Sequence, residues 1–503
     1  MRILIDTNIL ITREEEDIVP SNLQDLLKIL SQLNHQILVH PLSVMELAKD
    51  KNEKRRSIQL SKVNAYSQLE YPPNPDGDKE FLSLLGNIKL DDSHEVIDCN
   101  LLYCIHKNAA HFLITEDKDI NKKSERLDIS DRVFNIVEAL EFFKRTSAVK
   151  KPVSPPSLIE VPMHSLDLKD PIFDSLKEEY TEFVKWWNEK AKEGRKVWAY
   201  HLNKTLGAIL IYKIENEIID SNPSMPKKNR LKISTLKVSY EGYKIGELLI
   251  KISINYAIKN NIDEIYLTHH TKPNDRLVNL IEQFGFFRTA KKISTGEDIF
   301  IKKLIQDEKC QTPLEVIKKF YPSFYDGPSV KKFIIPIRPE FHNRLFTDYY
   351  KRQPLLLEFY GKMLIEGNTI KKAYLCNSKL RGISIGDIII FYRSGDEHAL
   401  TSLGVVEKVF NNVRDPDKIE AEVGKRSVYT RKEMEKMAQK PTKIIMFTLN
   451  FHFSKPIKLD KLKKLKLLAG APQSIMSITH NNYLRINEMC GIDKKFCIDK
   501  LGI

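Results

Sequence analysis

The chain has 503 residues, with 80 Lys and Arg against 67 Asp and Glu, a formal net charge of +13 and six cysteines. That length holds three domains of ordinary size. Cysteines 99, 104, 310, 376, 490 and 497 form no CxxC pair and read as reduced thiols. No apolar run is long enough to cross a membrane, and the chain opens on a strand rather than a leader. A soluble, cytoplasmic protein is expected.

The charge is unevenly spread. Residues 1–145 carry 19 basic against 25 acidic side chains, whereas residues 331–469 carry 28 against 15. A basic C-terminal third can supply phosphate affinity that an acidic first domain lacks.

In the opening stretch MRILIDTNIL, the apolar run Ile3-Leu4-Ile5 reads as a buried parallel strand that ends at Asp6. Chemistry in open α/β sheets collects at such strand ends. A second apolar strand, 111–115, leads into Glu116 and Asp117. Glu46 lies on an early helix, with Ser43 as a candidate cap. Asp98 lies on a helix with Val96, Ile97, Leu101, Leu102 and Ile105 at helical spacing. Four carboxylates converging on one point repel each other, and magnesium or manganese relieves that repulsion. Such an ion can activate water for attack on a phosphodiester.

Taken in order, Asp6-Thr7-Asn8, Glu46, Asp98 and Thr115-Glu116-Asp117 resemble a PIN domain, a metal-dependent nuclease fold, over residues 1–145. The resemblance implies Asp6, Glu46, Asp98 and Asp117 as catalytic metal ligands, with Asn8 and Asp119 in support.

Residues 146–170, rich in Pro and Ser, read as a linker. An amphipathic helix from Phe173 to Lys192 follows, and its Trp186 and Trp187 read as packing residues. The pattern then becomes β: VWAYHL and GAILIYKIE as a hairpin, LKISTLKV as a strand, then a turn and a long helix. DEIYLTHH is the next strand, and NDRLVNLIEQFGF a helix ending at Gly285. A strand whose Gly-containing turn opens a helix suits an anion.

This order, with Glu241-Gly242-Tyr243-Lys244-Ile245-Gly246 at the turn, resembles the GNAT acetyltransferase fold over residues 171–305. The resemblance implies acetyl-CoA as a cofactor. Gly242, Lys244, Gly246 and Asn274 would cradle it, and Leu236 and Val238 would offer backbone to the acetyl group. Lys244 stands where the family prefers glycine, Glu241 where it prefers Arg or Gln, and Ile281 where many members carry a tyrosine acid.

Residues 306–330 read as a connector. From 331 the marked strands are FIIPI, DIIIFYRS, LGVVEKVF and KIIMFTLNF. They suggest a small mixed barrel and resemble the PUA-like superfamily, in its ASCH or EVE branch, over residues 331–503. That superfamily is associated with RNA. Tyr392, Arg393, Lys425, Arg426 and Gln473 are the candidate nucleic-acid contacts, by stacking, phosphate pairing and base-edge reading. Residues from Arg485 onward read as a short tail.

The expected architecture is therefore multidomain α/β and α+β: a PIN-like parallel α/β sandwich, a GNAT-like mixed sheet with helices and a PUA-like small β-barrel. The expected function is a PIN-type endoribonuclease of a toxin or defence kind, coupled to the other two domains. RNA, transfer RNA included, would be its partner, with an antitoxin or regulatory protein as a second. The alternative is a GNAT N-acetyltransferase acting on RNA, a nucleotide or a protein, with the flanking domains as targeting modules.

Overall fold

The computed structural model describes residues 1–11, 21–33, 35–63, 66–70, 72–86, 93–146, 157–193, 195–202, 205–239, 245–273, 275–349, 362–364 and 369–502. Two compact units emerge. The first comprises Met1–Lys151, Leu375–Asn377 and Asn411–Ile444. The second comprises Pro152–Tyr374, Ser378–Phe410 and Ile445–Ile503. Among the described residues, no helix is long and apolar enough to cross a membrane.

The first unit is built on five parallel strands: β1 (Arg2–Ile5), β2 (Gln36–Val39), β3 (Ser67–Gln68), β4 (Phe112–Ile114) and β5 (Val133–Phe134). Their order is β3-β2-β1-β4-β5. The side-chain alternation of a strand explains the apolar run 3–5. Ile3 and Ile5 bury against α2 (Ser21–Gln32) and α8 (Ile136–Thr146). Leu4 buries on the opposite face, with Phe81 of α5 (Lys79–Leu85) and Leu101, Leu102 and Ile105 of α6 (Ser93–His106). Both faces are thus covered, as an all-parallel sheet requires. The helix carrying Glu46 is α3 (Pro41–Leu47). His40 caps it, with Pro41 at its first position, and Ser43 is buried inside it rather than capping it.

A segment far along the chain completes this unit. The helix Pro416–Val423 places Ala421 in the cluster around Ile3 and Ile5. The buried Arg426 lies 2.8 Å from Asp131. Gly424, at φ +45°, sits where a Cβ would fall 2.2 Å from the Asp131 carbonyl oxygen.

In the second unit nine strands form one mixed sheet. They are β6 (Ser157–Pro162), β7 (Lys196–Leu202), β8 (Thr205–Ile219), β9 (Ser221–Asn222), β10 (Met225–Val238), β11 (Glu264–His269), β12 (Phe286–Lys292), β13 (Asp298–Lys303) and β16 (Lys362–Leu364). The order is β16-β6-β7-β8-β10-β11-β13-β12-β9. The stretch from 157, expected as linker, is instead an integral strand, with Leu158 paired to Tyr200 and Pro162 to Lys196. Helices α9 (Asp174–Glu179) and α10 (Phe183–Lys192) follow, and α10 buries Trp187 in the cluster with Phe173 and Val197. The long helix α11 (Ile245–Lys259) is apolar almost all round, with Ile245, Leu248, Leu249, Ile250, Ile252 and Ile254 all buried. A helix of that kind must be covered on every side.

Further along come α12 (Arg276–Glu282), α13 (Pro313–Phe320), β14 (Phe324–Tyr325), β15 (Lys332–Ile337), β17 (Lys371–Cys376), β18 (Ile388–Arg393), β19 (Ala399–Val413), β20 (Thr442–Lys458) and β21 (Met476–Ile478). Strands β17-β20-β19-β18-β15-β21 make a six-stranded sheet. That order is open, so the expected small barrel is not closed among the described residues. The α11 cluster joins Leu231 and Ile265 of the nine-stranded sheet to Ile334, Ile390 and Leu403 of the six-stranded one. The segment expected as a tail belongs to this core. Ile486 and Phe496 are buried, and β22 (Cys497–Ile498) pairs with β14.

Candidate functional site

In the first unit the chain leaves β1 for β2 on one side and returns to β4 on the other. The crevice between β1 and β4 is the topological switch point, where ligands bind in sheets of this type. Asp6 and Thr115 end those two strands. The Asp6 N–H donates to the Ile114 carbonyl at 2.9 Å, and the Thr115 hydroxyl donates to the Asp6 carboxylate at 2.7 Å. Asp117 caps α7 (Lys118–Arg126), accepting from the N–H groups of Asp119 and Ile120. Asn8 reaches back to Asp6 through its backbone N–H at 3.3 Å and its side chain at 3.5 Å.

Electrostatics ties these acids together. Burial raises the Asp6 carboxyl above the usual range. The Thr115 hydroxyl and Asn8 N–H work against that rise, and the charges of Asp117 and Glu46 add to it. Asp98 is pushed up to about 7, first by burial and then by Asp117 and Asp6, despite Lys123 at 3.4 Å.

The expected metal set meets a different arrangement. Asp6 is held by Thr115, Asp98 by Lys123, Asp117 by the start of α7, and Glu46 lies 3.2 Å from His94. Among the described residues no group of three or more His, Cys, Asp or Glu could hold a metal ion. Asp119 serves through its backbone N–H, which steadies Asp117. The four acids share a crevice, but protein groups already occupy them.

The second unit carries a different kind of strand end. Strands β10 and β11 pair in parallel through Leu231–Ile265, Lys232–Tyr266 and Ile233–Leu267. Beyond that both strands continue, to Val238 and His269, and their pairing has ended. At the same point β10 is bulged against β8, between Ile233 and Thr235. One extra residue flips every later side chain. Leu231 and Ile233 face the α11 cluster before the bulge, and Leu236 and Val238 face it afterwards. With these side chains packed inward, the β11-facing edge of β10 offers backbone alone.

Around this opening stand groups that sequence reasoning passed over. His269 ends β11 and lies 2.7 Å from Asp275 through Nε2. Asp275 also caps α12, accepting from Leu277 and Val278. Burial raises the Asp275 carboxyl, but the His269 ring and the backbone N–H groups outweigh it and hold it below its ordinary value. On the opposite face Glu297 accepts from Thr268 at 3.1 Å, Thr295 at 2.7 Å and Tyr180 at 3.3 Å. The signal for His269 was available: a histidine at a strand end, six residues before an acid that caps a helix.

Of the expected cofactor residues, Gly242, Lys244 and Asn274 lie outside the described residues. Gly246 is set by packing, since a Cβ there would fall 2.5 Å from the Leu280 side chain of α12. Leu236 and Val238 lie on β10 beyond its pairing with β11, where they pair with Leu210 and Ala208 of β8.

The nucleic-acid contacts fare otherwise. Tyr392 and Arg393 are 0% and 1% exposed, so neither can stack on a base or pair a phosphate. The Arg393 guanidinium is spent on Asp396, His342 and Asn343. Both residues end a strand that is buried on each side, which explains the apolar pattern leading into them. Arg426 is buried against Asp131, the Lys425 side chain lies outside the described residues, and Gln473 is exposed.

Residues 161–286 match the family model of the acetyltransferase (GNAT) family. A comparison with curated proteins gives no match. Among solved structures, an ASCH protein from Zymomonas mobilis is 12% identical, with a TM-score of 0.25 over 32% of this chain and 95% of its own. The PaiA N-acetyltransferase from Thermoplasma acidophilum, in complex with coenzyme A, is 17% identical, with a TM-score of 0.20 over 28% of this chain and 83% of its own. Ard1 from Thermoplasma volcanium is 14% identical, with a TM-score of 0.23 over 31% of this chain and 100% of its own. Likenesses at these TM-scores decide nothing about activity.

Proposed function

We propose that the second unit is an acetyl-CoA-dependent N-acetyltransferase. The observation that carries this reading is the GNAT match over 161–286, which spans the bulged β10, its separation from β11 and helix α11. The opening suits an extended thioester cofactor, because the free edge of β10 presents peptide groups in need of partners. Leu236 and Val238 would hold the acyl arm through that edge, and the N-terminus of α11 would serve the phosphates. Acetyl-CoA, when bound, supplies the acyl group as a thioester.

The remaining work falls to the protein. An amine that becomes an amide gives up a proton, and a positioned base must take it. His269 Nε2 is engaged with Asp275, so Nδ1 would take that proton as the C–N bond forms, and the charged ring, steadied by the carboxylate, would return it to the coenzyme A thiolate released as the C–S bond breaks. Ile281, at the position where many family members have a tyrosine, is fully buried and takes no part. The test is calorimetric titration of the full chain with coenzyme A, followed by thiol release from acetyl-CoA with a panel of amines. Failure to bind coenzyme A would refute the reading.

A second reading concerns the first unit. The gathering of Asp6, Asp98 and Asp117 at the switch point supports phosphodiester hydrolysis there only with a divalent cation, which would relieve the repulsion of these acids for one another and for the phosphodiester. As paired, the acids form no metal-holding set among the described residues, so a cation would have to displace the Lys123 and His94 contacts, and no step through it is drawn. Cleavage of single-stranded RNA by the full chain with manganese, lost in Asp6→Asn, would support this reading. Equal cleavage by the variant would end it.

A further inference from the structure

On the face of the nine-stranded sheet opposite α11, a cavity of about 220 Å³ lies under α10, lined by Trp186, Lys190, Arg195, Lys213, Lys232, Ser234 and Thr268. Its position follows from the strand geometry. Lys232 is in the last run of residues paired with β11, Ser234 lies at the bulge, and Thr268 is the first residue of β11 past the pairing. The cavity therefore abuts the opening proposed for the acyl group, from the side that α11 does not cover.

Its lining is strongly cationic, and the nearby acids leave a surplus. Glu193 lies 2.5 Å from Lys190 and 3.0 Å from Arg195, and Glu215 lies 2.5 Å from Lys213. Lys232 has no ion pair among the described residues, and its ammonium stands 5.5 Å from the centre of the Tyr266 ring. Burial lowers its affinity for a proton; Lys213 and Lys292 reinforce this, against the opposing pull of Glu215 and Glu297. A half-buried lysine without a counter-ion is costly unless something negative joins it. The Ser234 hydroxyl can donate a hydrogen bond to an anion and the ring of Trp186 can cover it, whereas the Thr268 hydroxyl is already given to Glu297.

We propose that this cavity seats an anionic group, a phosphate or a carboxylate, carried by the molecule that accepts the acyl group. This rests on the acetyltransferase reading above. An amine bearing such a group would be anchored through Lys232 and Ser234, with its nitrogen directed at the opening between β10 and β11.

The test uses the full chain saturated with coenzyme A, so that the cofactor's own phosphate contacts are filled. Inorganic phosphate is titrated in one arm and succinate in the other. Tryptophan fluorescence reports the binding, since all three tryptophans, 186, 187 and 198, lie in this domain. Saturable binding of at least one anion is expected, weakened about tenfold or more in Lys232→Gln while coenzyme A affinity holds. The arm that binds names the group. Absence of binding by both anions, or equal binding by the variant, overturns the proposal. Should Lys232→Gln fail to fold, Ser234→Ala replaces it with the same criteria. If coenzyme A itself does not bind, the acetyltransferase reading falls, and the anion titrations on the chain alone still decide the cavity.

Discussion

Both units place their candidate chemistry at the carboxyl end of two parallel strands, and they use that position in opposite ways. In the first unit β1 and β4 stay paired to their ends, Ile5 opposite Ile114. The backbone is satisfied there, and what remains is a crowd of carboxylates that raise one another's proton affinity. In the second unit β10 and β11 stop pairing after Ile233 and Leu267, so the backbone itself becomes the binding surface. A side-chain site can be blocked by local pairing, as Lys123 and Thr115 show. A backbone site depends on how the strands and helices are packed.

That contrast can be broken or sharpened by substitution. The largest effect is expected at Gly285, which joins α12 to β12 at φ +79°, and where a Cβ would fall 2.3 Å from the Lys318 carbonyl oxygen. Gly285→Ala should cost the second unit about 4 kcal/mol, through left-handed strain and overlap with fixed backbone. A denaturant midpoint unchanged from the parent would show that the packing around the opening is not rigid.

Next comes Arg426→Ala. The pair with Asp131 is buried on the arginine side, and its loss should cost the first unit about 3 kcal/mol. Hydrogen exchange should show faster opening in β5, next to Asp131. If protection there does not change, residues 411–444 contribute nothing to the stability of that sheet.

His269→Gln keeps the size of the side chain and removes the proton acceptor. Acetyl transfer should fall about a hundredfold or more, with coenzyme A affinity unchanged. A parallel loss of both would make His269 a structural residue and weaken the case for catalysis at the opening.

The acid crevice has its own signature in pH. Asp98 keeps its proton up to about 7 when folded and releases it near 3.8 when unfolded. Between those values the folded chain holds more protons, so stability falls as pH rises from about 4 to about 7. Asp98→Asn should remove that slope and stabilise the first unit at pH 7 by about 2 kcal/mol. Thermal midpoints across that range for parent and variant provide the check, and identical slopes would mean that Asp98 is not crowded.

The smallest effect is expected at Lys177→Ala. Its pair with Asp174 at 3.0 Å is exposed, and removing it should change stability by no more than about 0.5 kcal/mol. A larger loss would point to a further role for α9 beside the cavity.

Much of the secondary structure was legible from pattern. Ile3-Leu4-Ile5 reads as a strand because both faces of a parallel sheet are buried, and the Asp98 helix reads from its apolar spacing. The convergence of Asp6, Asp98 and Asp117 followed from strand ends and helix faces, and their mutual charges reflect it. Whether such acids are open to a metal was not legible. Their partners, Thr115, Lys123 and His94, lie 109, 25 and 48 residues from the acids they touch, and spacing says nothing about such contacts.

Tyr392 and Arg393 mislead for a related reason. An aromatic beside an arginine at a strand end looks like a nucleic-acid contact until the partners appear, here His342 and Asn343 about 50 residues upstream. The sequence by itself determined the strands around Ile3, Ile114, Ile233 and Ile390 and the helices that carry Asp98 and Leu249, because those depend on side-chain period, whereas β6 and the C-terminal helix and strand escaped it. Only the tertiary structure decided that residues 411–444 belong to the first unit, that β10 and β11 part, and that Lys232 lines a cavity with no ion pair among the described residues. Each of those is a long-range outcome of packing, settled by which buried surfaces find one another rather than by any local preference.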